Sequence, residues 1–257
     1  MQNDSLVLAN EIDLTIFVAC YNEEDNIVDT LETILGAMQE LNYSYEILVI
    51  DDASTDDSVT VTRAYLGKNP DVPARLFLRD INQGLAQNFI EGAFLGRGKY
   101  YRLVCGDSVQ SKEELIQIFR HIGEADILIP YMVKVPGKNR FRQGLSRMFT
   151  LLINFISGYN LRYYNGCAVY LRYDVMRWHT NYYGFGFQAD LMTRLLDLGA
   201  SYVEIASSAT ERSAGKSKAL TLTNLLSVAH TVLDLFIRRF ASILYKRRKI
   251  VRCRMMD

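Results

Sequence analysis

The chain has 257 residues, of which 49% are hydrophobic and 23% charged, and its 29 Lys and Arg balance 29 Asp and Glu. That composition suits one sizeable globular core, alone or with an appendage, and excludes a disordered, fibrous or disulfide-stapled chain. The sign is uneven, because Arg238, Arg239, Lys246, Arg247, Arg248, Lys249, Arg252 and Arg254 crowd the end against Asp257 alone, leaving 21 bases against 28 acids in the rest.

A basic tail on an acidic body suits an anionic lipid surface. Nucleic acid is not expected as a partner, since no aromatics are interleaved with the tail's bases. Cys20, Cys105, Cys167 and Cys253 are too scattered for a CxxC metal pair and point to a reducing, cytoplasmic setting. The first residues lack a basic n-region, and no uncharged apolar run of about eighteen residues occurs, so neither a signal peptide nor an ordinary membrane span is expected.

Leu14 to Ala19 reads as a buried strand, followed by a Tyr21-Asn22-Glu23-Glu24-Asp25 turn and an amphipathic helix from about Asn26 to Leu41. Tyr45 to Ile50 is a second strand, ended by Asp51-Asp52-Ala53-Ser54-Thr55-Asp56-Asp57, with a second helix from roughly Asp57 to Leu66. A third strand, Ala74 to Leu78, leads through Asp80-Ile81-Asn82-Gln83-Gly84 into a helix from Leu85 to Leu95. A fourth, Tyr100 to Val104, precedes Cys105-Gly106-Asp107, and Ser111 with Glu114 forms a capping-box pattern. Four alternations of strand and helix predict a parallel sheet flanked by helices on both faces.

Beyond Asp126 to Ile129 the rhythm breaks into a basic stretch, Val135 to Arg147, and an apolar run, Met148 to Ile156. Strands near Cys167 to Leu171 and at Tyr202 to Ala206, with a helix from Phe187 to Leu198, complete a catalytic domain over 1–218. Residues 219–257 form an amphipathic helix and basic tail, which lies on a membrane surface, packs as core or forms a homodimer interface.

In open α/β sheets ligands bind beyond the carboxyl ends of the strands. Asp51 and Asp52 stand there, placed either to hold hydroxyl or NH donors of a nucleotide or to cap the next helix. If the strands are neighbours, the other strand-end clusters share that crevice: Tyr21 and Glu23, Asp80 and Asn82, and Asp107, which is either a helix cap or a ligand of the magnesium or manganese that a diphosphate attracts.

Together, Ala19-Cys20-Tyr21-Asn22-Glu23, Asp51 to Asp56, Asn82-Gln83-Gly84-Leu85-Ala86 and the later Gly106-Asp107 resemble the inverting family-2 glycosyltransferases. The resemblance runs from about Leu14 to Lys218 and implies the nucleotide-diphospho-sugar transferase fold of GT-A type. It implies that Ala19, Tyr21, Glu23, Asp52, Asp80, Asn82 and Gly84 lie at the nucleotide and that Asp107 lies beside the metal and donor sugar. One departure is that Cys105 replaces the first carboxylate of the usual Asp-x-Asp.

Arg212-Ser213-Ala214-Gly215-Lys216-Ser217-Lys218 resembles the Arg-x-x-Gly-x-Ser-Lys segment of dolichyl-phosphate-mannose-synthase-like enzymes. Arg212, Lys216 and Lys218 either cover a diphosphate and attract a second phosphate or form a solvated basic loop. Asp190 occupies the region that supplies a catalytic carboxylate in many relatives, or else it serves its helix as a first-turn residue. Acceptor chemistry decides whether a base is needed: a hydroxyl must lose a proton as it attacks, whereas a phosphate monoester, with a second pKa of about 6, is already ionised.

The leading expectation is a cytoplasmic enzyme, peripheral on the inner face of a membrane, that moves a hexose from a UDP- or GDP-sugar to a polyprenyl phosphate. Its alternatives are transfer to a saccharide hydroxyl with Asp190 as base, and a silent nucleotide-sugar-binding protein.

Overall fold

A computed structural model describes residues 12–133, 140–178, 186–207 and 222–245. In chain order these residues form β1 (Ile12–Cys20), α1 (Ile27–Met38), β2 (Tyr45–Asp51), α2 (Ser58–Lys68), β3 (Ala74–Leu78), α3 (Leu85–Leu95), β4 (Gly98–Cys105) and α4 (Lys112–Phe119). There follow β5 (Ile127–Met132), α5 (Arg140–Ser157), β6 (Val169–Leu171), α6 (Arg172–Met176), α7 (Phe187–Asp197), β7 (Tyr202–Ser207) and α8 (Leu222–Leu244).

The strands make one seven-stranded sheet in the order β3-β2-β1-β4-β6-β5-β7. The expected parallel pattern holds except at β6, which runs antiparallel to both β4 and β5. Only Val169 to Leu171 pair in it, so Cys167 precedes the strand.

Alternation along β1 shows why the sheet is covered on both faces. Leu14, Ile16, Val18 and Cys20 meet Ile27, Leu31 and Ile34 of α1 and Leu115 and Phe119 of α4. Phe17 and Ala19 meet Phe89 of α3, and the same cluster takes in Val175 of α6 and Phe187 and Leu191 of α7. Ser111 caps α4 as expected, accepting from the Glu114 amide, but the Glu114 carboxylate turns away to accept from Ser207 Oγ at 2.7 Å.

The last helix is held by one face. Thr231 and Leu235 are buried, Arg238 reaches α7, and Arg239 donates to the carbonyl of Ile156 at the end of α5. Leu226, Leu233, Phe236, Ile237, Phe240 and Leu244 point outward instead. Two of its arginines therefore face protein while six of its large apolar side chains face out, a departure from an ordinary surface helix.

Candidate active site

The carboxyl ends of β2, β1 and β4 lie flush, with Cys20 opposite Asp51 and Ala19 opposite Cys105. Beyond them the Asp52 amide donates to the Cys20 carbonyl and the Gly106 amide to the Ala19 carbonyl, each at 2.9 Å. Each strand is then followed by a residue other than glycine in the left-handed region: Asn22 (φ 57), Ala53 (φ 63) and Ser108 (φ 52). Such conformations cost on the order of 1 kcal/mol each and persist where surrounding contacts over-determine them.

The contacts are specific. The Asn22 amide donates to Ser54 Oγ at 2.9 Å while Asn22 Oδ1 accepts from the Thr55 amide at 2.8 Å. The Glu23 amide donates to Ser58 Oγ at 2.8 Å, and the Asp57 amide to Glu24 Oε2 at 2.7 Å. Asp51 accepts from the Ser54 amide at 3.0 Å, and Asp56 from the Ser58 amide at 3.0 Å. Burial alone would raise the Asp56 carboxyl, but the Ser58 hydroxyl and amide outweigh it and hold the group below its usual value.

Neither Asp51 nor Asp52 caps α2, so the capping alternative is set aside. Asp52, only 6% exposed, accepts from the backbone amides of Gln83 at 2.8 Å and Gly84 at 2.9 Å, while Asn82 Nδ2 donates to the Asp52 carbonyl at 2.9 Å. It thereby draws the loop before α3 against the end of β2, and Gly84, at φ 81, supplies the turn that another residue would adopt only under strain.

The residues expected at the ends of the first four strands lie along this edge. Tyr21 is 39% exposed, Asp80 and Asn82 are exposed, and Glu23 is partly exposed with its Oε2 accepting from Asn26. Ala19 is partly buried and contributes its carbonyl to Gly106. Arg212, Lys216 and Lys218 lie outside the described residues; β7, which precedes them, ends at Ser207 parallel to β5.

Asp107 is partly exposed in the turn after β4, which the Ser108 amide pins by donating to Thr30 Oγ1 at 3.0 Å. A Cβ on Gly106 would stand 2.8 Å from the Ala19 carbonyl oxygen, so only glycine allows this approach. Cys105, in the place of the missing carboxylate, turns its thiol into a hydrogen bond with Cys167. That bond and burial push the Cys105 thiol well up, while the same bond, with the Arg102 guanidinium, holds Cys167 below the ordinary thiol value.

Among the described residues no group of three His, Cys, Asp or Glu could hold a metal ion. The donor set thus fits no dedicated metal cage. It fits a hard divalent cation that takes one protein carboxylate, Asp107, and completes its shell with diphosphate oxygens and water.

Asp190 is in a different environment. It is 1% exposed, and its carboxylate accepts from Trp178 Nε1 at 2.9 Å, Arg194 Nε at 2.8 Å and Arg238 Nη1 at 3.0 Å. Arg238 also donates to Thr193 at 2.6 Å, and Arg239 pairs with Asp197 at 3.4 Å. Sequence reasoning missed these cations, and equally the roles of Ser54 and Ser58 and the contact of Cys105 with Cys167. The Ser, Thr and Asp density after β2 was the available signal for the loop network, and the i,i+4 spacing of Asp190 and Arg194 was the signal for that pair; the others join residues far apart in sequence and leave none.

Known proteins fit this geometry. The chain is 27% identical over 217 residues to undecaprenyl-phosphate mannosyltransferase of Micrococcus luteus, covering 80% of this chain and 86% of that protein. It is 31% identical over 103 residues to dolichyl-phosphate beta-glucosyltransferase of Dictyostelium discoideum, covering 38% of this chain and 32% of that one. Dodecaprenyl-phosphate galacturonate synthase of Rhizobium johnstonii matches at 24% over 160 residues. The chain spans about a third of the Dictyostelium protein and about half of the Rhizobium protein.

Among solved structures, glucosyl-3-phosphoglycerate synthase from Mycobacterium tuberculosis, in complex with Mn2+, uridine-diphosphate-glucose and phosphoglyceric acid, superposes with a TM-score of 0.64 at 16% identity, over 90% of this chain and 80% of that one. Staphylococcus aureus TarS 1-349 in complex with UDP-GlcNAc gives 0.57 at 17%, over 90% and 73%. Both share the fold, as the GT-A sheet predicts. The model of glycosyl transferase family 2 matches residues 15–178, which hold every strand end of the candidate site, and the chain belongs to that family.

Proposed function

We propose that this glycosyltransferase moves a hexose from a nucleotide-diphospho-sugar to a polyprenyl phosphate at a membrane surface. The observation that carries the reading is the outward apolar face of α8, joined by Met148, Leu151, Leu152 and Phe155 of the adjoining α5. Among the described residues no helix is long and apolar enough to cross a membrane, so such a face suits a protein lying on a bilayer. The bases of the C-terminal tail add attraction to anionic headgroups. The relatives named above, which act on undecaprenyl, dolichyl and dodecaprenyl phosphates, support the same acceptor class.

In this reading Tyr21, Glu23, Asp52 and the Asp80 to Gly84 loop bind the nucleotide, and Asp107 holds the cation. A divalent cation there would offset charge on the departing diphosphate. Arg212, Lys216 and Lys218 orient acceptor phosphate and diphosphate so that the acceptor oxygen meets the anomeric carbon opposite the leaving group. The acceptor is already ionised and needs no base, which agrees with Asp190 being committed to Trp178, Arg194 and Arg238.

The test offers radiolabelled UDP- and GDP-sugars, with Mg or Mn, to vesicles with and without undecaprenyl phosphate. Label is expected in an acid-labile lipid, and Asp107→Asn is expected to slow its appearance about 10²–10³-fold. Transfer only to a soluble hydroxyl acceptor, or donor binding without turnover, would refute the proposal.

A further inference from the structure

At the end of the sheet away from Asp107, a cleft of about 300 Å³ opens between the start of β4 and the start of α6. β4 is eight residues long, so the cleft stands about 25 Å from its carboxyl end. The antiparallel register sets Leu171 opposite Tyr100, which brings Arg172 and Lys99 into the same wall. Arg172 is held there without being neutralised. Its Nε donates to the Gly98 carbonyl at 2.6 Å and its Nη1 to the Ala93 carbonyl at 3.0 Å, and these neutral acceptors fix the guanidinium plane while leaving its charge. Its Nη2 makes no hydrogen bond among the described residues.

Two exposed cations flank it. The Lys99 ammonium lies 5.6 Å from the Tyr100 ring centre, and the Arg177 guanidinium lies 5.5 Å from that of Tyr173, another wall residue. Among the described residues none of these three cations pairs with a carboxylate, whereas Arg97 in the same wall is pinned by Glu46 at 3.2 Å. The carboxylate in the wall is Asp174, which is only 7% exposed. Positive charge is thus in surplus here, on a body whose acids outnumber its bases. An oriented guanidinium fork beside an ammonium matches a phosphate group, two of whose oxygens meet the fork while a third meets the point charge.

We propose that this cleft is a second anion site, which takes the phosphate group of a small phosphate ester or diphosphate. Arg172 and Lys99 bind the phosphate oxygens, and Arg177 adds attraction from the rim. The volume is at the small end of ligand sites, which suits a phosphate or diphosphate better than a whole nucleotide-sugar. The proposal is independent of the transferase reading, because no residue of the cleft belongs to the loops at the carboxyl ends of the strands.

The test titrates pyrophosphate into the full chain by calorimetry, without divalent cation. Lys99→Gln and Arg177→Gln, both at exposed positions, should each weaken binding about ten-fold and leave sugar transfer unchanged. Arg212→Gln, in the segment assigned to the donor diphosphate, should leave this binding event in place. Cosedimentation with vesicles containing phosphatidic acid separates the sources. Loss in the two cleft variants, with competition by pyrophosphate, assigns the phosphate to a lipid headgroup; vesicle binding equal to the parent's assigns it to a soluble ester. No heat at millimolar pyrophosphate would overturn the site, as would binding that is lost in Arg212→Gln and kept in Lys99→Gln and Arg177→Gln.

Discussion

Asp52 and Asp190 are both buried aspartates with engaged oxygens, yet the regions around them are built on different principles. Asp52 accepts from neutral backbone amides in a lattice of loop hydrogen bonds, where Asn22, Ser54 and Ser58 each replace one lost strand contact. Asp190 accepts mainly from cations, and Asp190, Arg194 and Arg238 all lie beyond residues 15–178. Amide donors leave a carboxylate one exchange away from a ligand's own NH or hydroxyl groups. Paired guanidinium groups make it a structural rivet, because removing it strands charge.

The sharpest way to break that comparison is Asp190→Ala. It leaves Arg194 and Arg238 without their shared counter-charge, and since Arg194 is part-exposed a loss of about 3 kcal/mol in urea unfolding is expected. Donor affinity in the surviving folded protein should change little. A fully stable variant with lost turnover would instead make Asp190 a catalytic base. Asp52→Ala should reverse the emphasis. It leaves two amides without their acceptor, costs about 2 kcal/mol, and weakens UDP or GDP binding measured by calorimetry.

The two regions also differ in how far sequence reading reached. The strands up to Cys105, the loops between them and Ser111 as a cap were legible because short apolar runs and Ser, Thr, Asp and Gly clusters have local causes. The pairing of those loops was legible only as a shared edge: that Asn22 would bind Ser54 and Thr55 depends on β1 and β2 being neighbours. Past β5 the reading thinned. The reversed strand β6 has only three paired residues, too few for periodicity to mark, and its direction follows from tertiary pairing. On α8 the helical spacing of Leu226, Leu233, Phe240 and Leu244 was evident. Which face would be buried was not, since two arginines entering the protein violate the usual preference.

A third carboxylate, Glu46, lies in the amino-terminal half of β2 and joins both modes of bonding. It accepts from Thr15 Oγ1 at 2.8 Å and the Arg97 amide, and pairs with Arg75 at 2.9 Å and Arg97 at 3.2 Å. Burial alone would raise it, but the Arg97 amide, the Thr15 hydroxyl and the Arg97 guanidinium outweigh burial and leave it below its ordinary value. Its stabilisation is therefore complete above the unfolded value of about 4.3 and lost as pH falls through the lower folded one. Glu46→Gln should lower the unfolding free energy measured in urea by about 1 kcal/mol at pH 7, and the gap should narrow below pH 4. A gap that widens on acidification would mean that the folded value is raised.

The smallest expected effect on stability is at Phe155, which is 87% exposed on α5. Truncating it removes almost no buried area, so Phe155→Ser should stay within about 0.5 kcal/mol of the parent in urea. On a bilayer the same ring is an anchor, and burying a Phe side chain contributes roughly 1.5–3 kcal/mol, enough to weaken vesicle binding by about ten-fold or more. Cosedimentation with vesicles containing phosphatidylglycerol measures that loss, and sizing without lipid checks whether the face instead joins two copies. If Phe155→Ser binds vesicles like the parent but shifts a dimer to monomer, the outward face of α5 and α8 is a protein interface and the membrane reading fails. If both properties are unchanged, the apolar face contributes to neither, and the bases of the C-terminal tail would have to supply the membrane contact alone.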